Sequence, residues 1–110
     1  MAGINNFYRG DTENIKIVVS RNGTPIDITG ASIVFMMKKS ITDLDPQAVI
    51  TKSAELTNPN AGEAVIILSS TDTAIEAGRY YYDIQLTDIA ENVSTLMCTT
   101  VEVKRDLNHG

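Results

Sequence analysis

The chain has 110 residues, enough for one domain and too few for two. Its net charge is −5 at pH 7 and its nine Lys and Arg residues are scattered, which excludes a surface that tracks phosphates along nucleic acid. Hydrophobic residues at 43% and charged residues at 21% exclude disorder, the single cysteine excludes an internal disulfide, and no apolar run approaches the roughly 20 residues of a membrane helix.

Met1 to Asn6 lacks the basic and apolar regions of a secretory signal, so folding in a cytoplasm is expected. Arg9-Gly10-Asp11 follows, a tripeptide that animal adhesion proteins present to integrins. Residues 13–20 then alternate, with Ile15, Ile17 and Val19 on one face. Asn22-Gly23 predicts a tight hairpin turn, because both positions accept positive φ. Pro25 to Ile28 is a short extended piece. Asp27 and Thr29 are placed to bond nearby backbone amides, and Gly30 to take an unusual φ. Residues 31–38 put Ala31, Ile33, Phe35 and Met37 opposite Ser32, Val34, Met36 and Lys38. Both sets are fairly apolar, which predicts an internal strand.

Residues 40–46 read as a loop, and Gln47 to Leu56 as one strand. Asn58 to Gly62 is a turn, with Gly62 closing a hairpin, and Ala64 to Leu68 is a short strand. Ser69 to Gly78 is the one stretch that predicts a helical turn, with Ser70 or Asp72 capping it and Gly78 ending it. Residues 79–87 place Tyr80, Tyr82, Ile84 and Leu86 against Tyr81, Asp83, Gln85 and Thr87. After a turn at 88–92, residues 93–103 form the longest strand, with Val93, Thr95, Met97, Thr99, Val101 and Val103 on one face. Lys104 to Gly110 is a polar tail. The expected core includes Ile17, Ile33, Phe35, Ile66, Tyr82, Ile84 and Val101.

About seven short strands with at most one helical turn predict an all-β fold. The architecture expected is an immunoglobulin-like antiparallel β-sandwich, one domain over residues 1–110 with an ordered core of about 7–104. Catalytic chemistry has little to stand on. His109 is the lone histidine and sits at the terminus without a partner. Cys98 lies mid-strand among apolar neighbours and reads as a small buried hydrophobe. Asp43, Asp45, Asp88 and Glu91 read as solvated loop acids, since the glycine and terminal glutamate of a calcium loop are missing from Asp43-Leu44-Asp45-Pro46. No catalytic residue, cofactor or metal is expected. Tyr81 is expected to face outward beside Asp83 and Gln85, and tyrosine is favoured at protein interfaces.

The order of motifs is itself informative. Gly10-Asp11-Thr12 opens the first long strand. Asp27-Ile28-Thr29-Gly30-Ala31 follows, then Asn60-Ala61-Gly62, and then Gly78-Arg79-Tyr80-Tyr81-Tyr82-Asp83-Ile84-Gln85. This resembles the small immunoglobulin-like module of tailed bacteriophages typified by the N-terminal domain of the baseplate upper protein. The likeness runs from about Phe7 to Val103. No coiled coil, stalk or receptor-binding head is expected beside the module. The likeness implies a structural or adaptor component of a phage particle or a prophage-derived tail-like device, made in the bacterial cytoplasm and carried in the virion. Its partners would be other virion proteins or further copies of itself, with neither nucleic acid nor membrane. A host-surface glycan or receptor recognition module is the alternative, weakened by the absence of Trp. On this reading Arg9-Gly10-Asp11 is a strand-entry element. Gly10, Asp27, Gly30, Gly62 and Gly78 are turn residues.

Overall fold

The computed structural model describes Ile4, residues 6–40 and residues 48–105. Ten strand segments carry the fold: β1 (Phe7–Tyr8), β2 (Glu13–Val18), β3 (Ser20–Arg21), β4 (Thr24–Pro25), β5 (Ser32–Lys38), β6 (Ile50–Ser53), β7 (Glu55–Asn58), β8 (Glu63–Leu68), β9 (Gly78–Thr87) and β10 (Val93–Lys104). Seven of them have four residues or more. Asp43, Asp45, Gln47 and His109 lie outside the described residues.

The strands form a five-stranded sheet in the order β1-β10-β9-β5-β6, a three-stranded sheet β2-β8-β7 and the hairpin β3-β4. The two larger sheets pack as a sandwich, and the fold is all-β. One neighbour pair departs from the antiparallel expectation. Strand β1 runs parallel to β10, with Phe7 opposite Val103 and Tyr8 opposite Lys104. A parallel pair needs a long connection, and here the whole sandwich supplies it.

The alternation does what a period of two requires. Ile17, Ala64, Ile66 and Leu68 face inward from the three-stranded sheet. Ile33, Phe35, Met37, Tyr80, Tyr82, Ile84, Leu86, Val101 and Val103 face them from the other. All seven residues expected in the core are buried. The rings of Phe35 and Tyr82 lie 5.6 Å apart, tilted by 32°. Asn22 and Gly23 both have positive φ (53° and 81°) and form the two-residue loop of the β3–β4 hairpin.

Three local expectations are corrected. The extended run ending at Leu56 is not one strand. It breaks at Ala54, whose N–H bonds Ile33 O at 2.8 Å, and the chain passes there from one sheet to the other. Strand β10 does not keep one face. A bulge between Thr95 and Met97 adds Leu96, so Ser94 shares the inner face with Leu86, whereas Val93 is 61% exposed. The only helix among the described residues is a 3-10 turn at Pro59–Ala61. Residues 69–73 form a single turn closed by Thr73 N–H on Ser69 O at 3.1 Å. Its cap is Ser69 rather than Ser70 or Asp72 alone. Ser69 N–H donates to Asp72 Oδ2 (2.8 Å), and Asp72 N–H donates to Ser69 Oγ (3.1 Å). This is the reciprocal logic of a capping box. The turn does not continue: Ala74 N–H goes to Thr71 O (3.3 Å) and Ile75 N–H to Thr73 O (2.8 Å), and Thr73 O also accepts from Gly10 N–H (3.1 Å), while the Thr73 hydroxyl donates to Asp11 O at 2.6 Å.

Candidate interaction face

Strand β9 is the middle of the five-stranded sheet, so its outward residues sit at the centre of that sheet's outer face. These are Tyr81, Asp83 and Gln85, a stripe fixed by their buried neighbours Tyr80, Tyr82, Ile84 and Leu86. The ladder brings Lys38, Met36 and Val34 of β5 to one side of the stripe. It brings Thr100, Cys98 and Thr95 of β10 to the other. Tyr81 is 37% exposed. Gln85 Nε2 donates weakly to Thr95 Oγ1 at 3.4 Å. A shallow depression of about 70 Å³ lies between Met36, Lys38, Tyr81, Asp83 and Cys98.

Cys98 is exposed, which corrects its reading as a buried hydrophobe. Counting back from buried Val101 and Val103 puts Cys98 on the outer face, opposite Asp83. The flanking Val34, Met36 and Cys98 make the stripe partly apolar. Strand alternation alone marks Val34 and Met36 as outward, but only the ladder places them beside Asp83 and Gln85.

The tyrosines on either side of Tyr81 serve the core. The Tyr82 hydroxyl accepts from Ile4 N–H at 2.9 Å, and the Tyr80 hydroxyl donates to Glu76 O. Burial raises the Tyr80 phenol above its ordinary value.

Arg9-Gly10-Asp11 carries the chain from β1 to β2. Arg9 Nε donates to Ile75 O at 2.9 Å and its backbone N–H to Lys104 O at 2.9 Å. Gly10 has φ 83° and donates to Thr73 O at 3.1 Å. Thr73, fully buried, was not singled out by sequence reasoning, since an isolated threonine carries no local signal. It ties this segment to the turn after β8 through both its carbonyl and its hydroxyl.

The turn residues are spread over the surface rather than gathered at one place. Asp27 accepts from the N–H and the hydroxyl of Thr29, and those bonds hold its carboxyl below the usual range. Gly30 has φ 80°, and Gly78 opens β9 at φ 153°. Gly62 has φ 73° and lies against Val19 and Ile26. Asp88 caps its own turn, with Oδ1 accepting from Ala90 N–H and Asn92 N–H, each at 2.9 Å. Bonds to Asn92 lower its carboxyl first. Among the described residues no group of three or more His, Cys, Asp or Glu side chains is placed to hold a metal, and no helix is long and apolar enough to cross a membrane.

A family model described as the BppU N-terminal domain matches residues 1–106. The chain belongs to that family. BppU is the baseplate upper protein, so membership gives the coarse role: a structural protein associated with a phage baseplate. No curated protein matches the chain. In this BppU N-terminal domain, the family match and the ladder cover the same span, from β1 to β10.

Proposed function

We propose that the domain is an adaptor that holds baseplate proteins together by contact, without turnover. The observation that carries this is the outward stripe Tyr81-Asp83-Gln85 on the central strand of the larger sheet. It is flanked by Val34, Met36 and Cys98, so it joins apolar area to hydrogen-bonding groups. Interfaces of non-obligate complexes have this mixture, with tyrosine favoured near the centre. A stable contact buries about 1,200–2,000 Å² in total. Repetition around a symmetric particle favours several copies in equivalent positions, and self-association is part of the proposal.

The test is incorporation. Mass spectrometry of purified particles should find the chain, and Tyr81→Ala with Gln85→Arg should lower its copy number without loss of fold. Light scattering of the isolated chain tests self-association, and a monomer at high concentration removes that half. Absence of the chain from particles, with abundance in infected cells, overturns the proposal.

A further inference from the structure

The three-stranded sheet ends on β2, and among the described residues no strand lies beyond it. The phase of its ladder is set by Val19 N–H, which donates to Gly62 O at 2.8 Å and extends the β2–β8 register by one pair. Hydrogen-bonded pairs alternate in an antiparallel ladder. Glu13, Ile15 and Ile17 therefore turn their backbone groups to β8. Asn14, Lys16 and Val18 turn theirs outward. The hairpin that follows does not cover this edge. Ile26 N–H donates to Val19 O at 3.0 Å, which places its second arm on the β8 side.

Among the described residues, no strand covers the edge of the other sheet over the matching stretch. Within the described residues, strand β1 pairs with Val103 and Lys104 of β10. Next along, Glu102 N–H is taken by the Asn6 side chain, at 3.0 Å, in place of a backbone carbonyl. Between the start of β10 and the end of β2 lies a cleft of about 320 Å³. Its lining includes Val19, Ile28 and Leu86 from the core, and Leu96, which packs on the core but stays only partly buried. A closed sandwich would cover such residues. Among the described residues, neither flanking strand has a neighbour on the side that faces the cleft.

We infer that this slot takes an extended, acidic segment of another baseplate protein, which adds as a strand to the outer edge of β2 and lays alternate apolar side chains into the cleft. The inference rests on the contact role proposed above. The occupant's charge follows from the edge. Lys16 points outward at its middle and Arg21 lines the mouth of the cleft, on a chain of net charge −5. Among the described residues neither the Lys16 nor the Arg21 side chain makes an ion pair or a hydrogen bond. Asp27 and Asp88 also line the cleft, and the bonds from Thr29, Ala90 and Asn92 keep both carboxylates ionised, so the side chains that enter the cleft are apolar and the acidic ones stand on the outer face beside Lys16. A second copy fits less well. Pairing β2 with β2 about its centre sets Lys16 opposite Lys16, and like charges directly across a ladder repel.

The test uses assembled particles. p-Benzoylphenylalanine is introduced at Val18, and separately at Ser20, and purified particles are irradiated. The expected product is a cross-link to a different particle protein, within a few residues of Asp or Glu. Lys16→Glu should lower the copies per particle at least tenfold while the isolated variant melts as the wild type does. Lys16→Pro, which deletes one outward N–H and leaves the β8 ladder whole, should do the same. If the proline variant does not fold, Lys16→Glu decides alone. Cross-links only to further copies of the chain, or wild-type copy number for Lys16→Glu, overturn this inference and leave the adaptor reading standing. Absence of the wild-type chain from particles overturns both.

Discussion

Val19 and Gly62 meet backbone to backbone. Val19 N–H donates to Gly62 O at 2.8 Å, and a Cβ on Gly62 would stand 2.5 Å from Val19 O and 2.7 Å from Ile26 O. Gly62 also sits at φ 73°, where a side chain costs roughly 1–2 kcal/mol before any clash. Backbone carbonyls held in a ladder do not swing aside. Gly62→Ala is expected to lose at least about 2 kcal/mol in urea unfolding. A loss below about 0.5 kcal/mol would show that the β2–β3 junction yields freely.

Phe35 is fully buried against Tyr82. Phe35→Ala removes transfer energy and leaves a cavity, so about 3–5 kcal/mol should go. Denaturant midpoint with an unchanged slope is the readout. A loss under about 1 kcal/mol would place the ring in solvent and the strand one residue out of register.

Asp72 links the Ser69 turn to β6, with Oδ2 on Lys52 Nζ at 2.7 Å. The Lys52 bond first, and then Ser69 N–H, hold its carboxyl below the usual range. A folded-state pKa below the unfolded value stabilises at pH above the unfolded value, roughly 4, and that contribution is lost as pH falls through the folded value. Asp72→Ala should cost about 1 kcal/mol at pH 7. Its difference from wild type should shrink below about pH 4. A constant difference from pH 7 to pH 2 would mean that the carboxylate charge contributes nothing.

Tyr81 is the contrasting case to Phe35. Its ring stands on the outer face, so Tyr81→Ala should change stability by no more than about 1 kcal/mol. Copy number on the particle should fall. Full incorporation of a stable Tyr81→Ala variant would move the contact to another surface.

Asp11 enters the fold through its backbone: its N–H bonds Tyr8 O at 3.3 Å and its carbonyl accepts from Thr73. The side chain is exposed. Asp11→Glu keeps the charge and alters an integrin ligand, and it should leave melting temperature and incorporation unchanged. Cell adhesion by the wild type that this variant loses would restore the adhesion reading.

The inward and outward sets of β5 and β9 were legible from the sequence, because side chains alternate by residue whatever the partner strand. Ile33, Phe35, Tyr82 and Ile84 could be assigned to the core, and Tyr81, Asp83 and Gln85 to the surface, without knowing which strands pair. The Asn22-Gly23 hairpin was legible for a similar reason, since its turn chemistry is contained in two residues. Long-range relations were not. The chain changes sheets at Ala54 within an extended run that has no local break. The bulge at Leu96 depends on the register against β9, and it reverses which of Val93 and Ser94 faces inward. The parallel seat of β1 beside β10 joins residues nearly a whole chain apart. Nor does the Ser69–Asp72 turn announce that it stops after one turn, because the carbonyl of Thr73 is taken by Gly10 N–H from the far side of the fold. The sequence by itself determined a β-sandwich and the faces of its central strands, since period and turn chemistry act over a few residues. Only the tertiary structure decided which edges, at β2 and β10, have no strand beside them among the described residues, because an unpaired backbone group is defined by the neighbour it lacks.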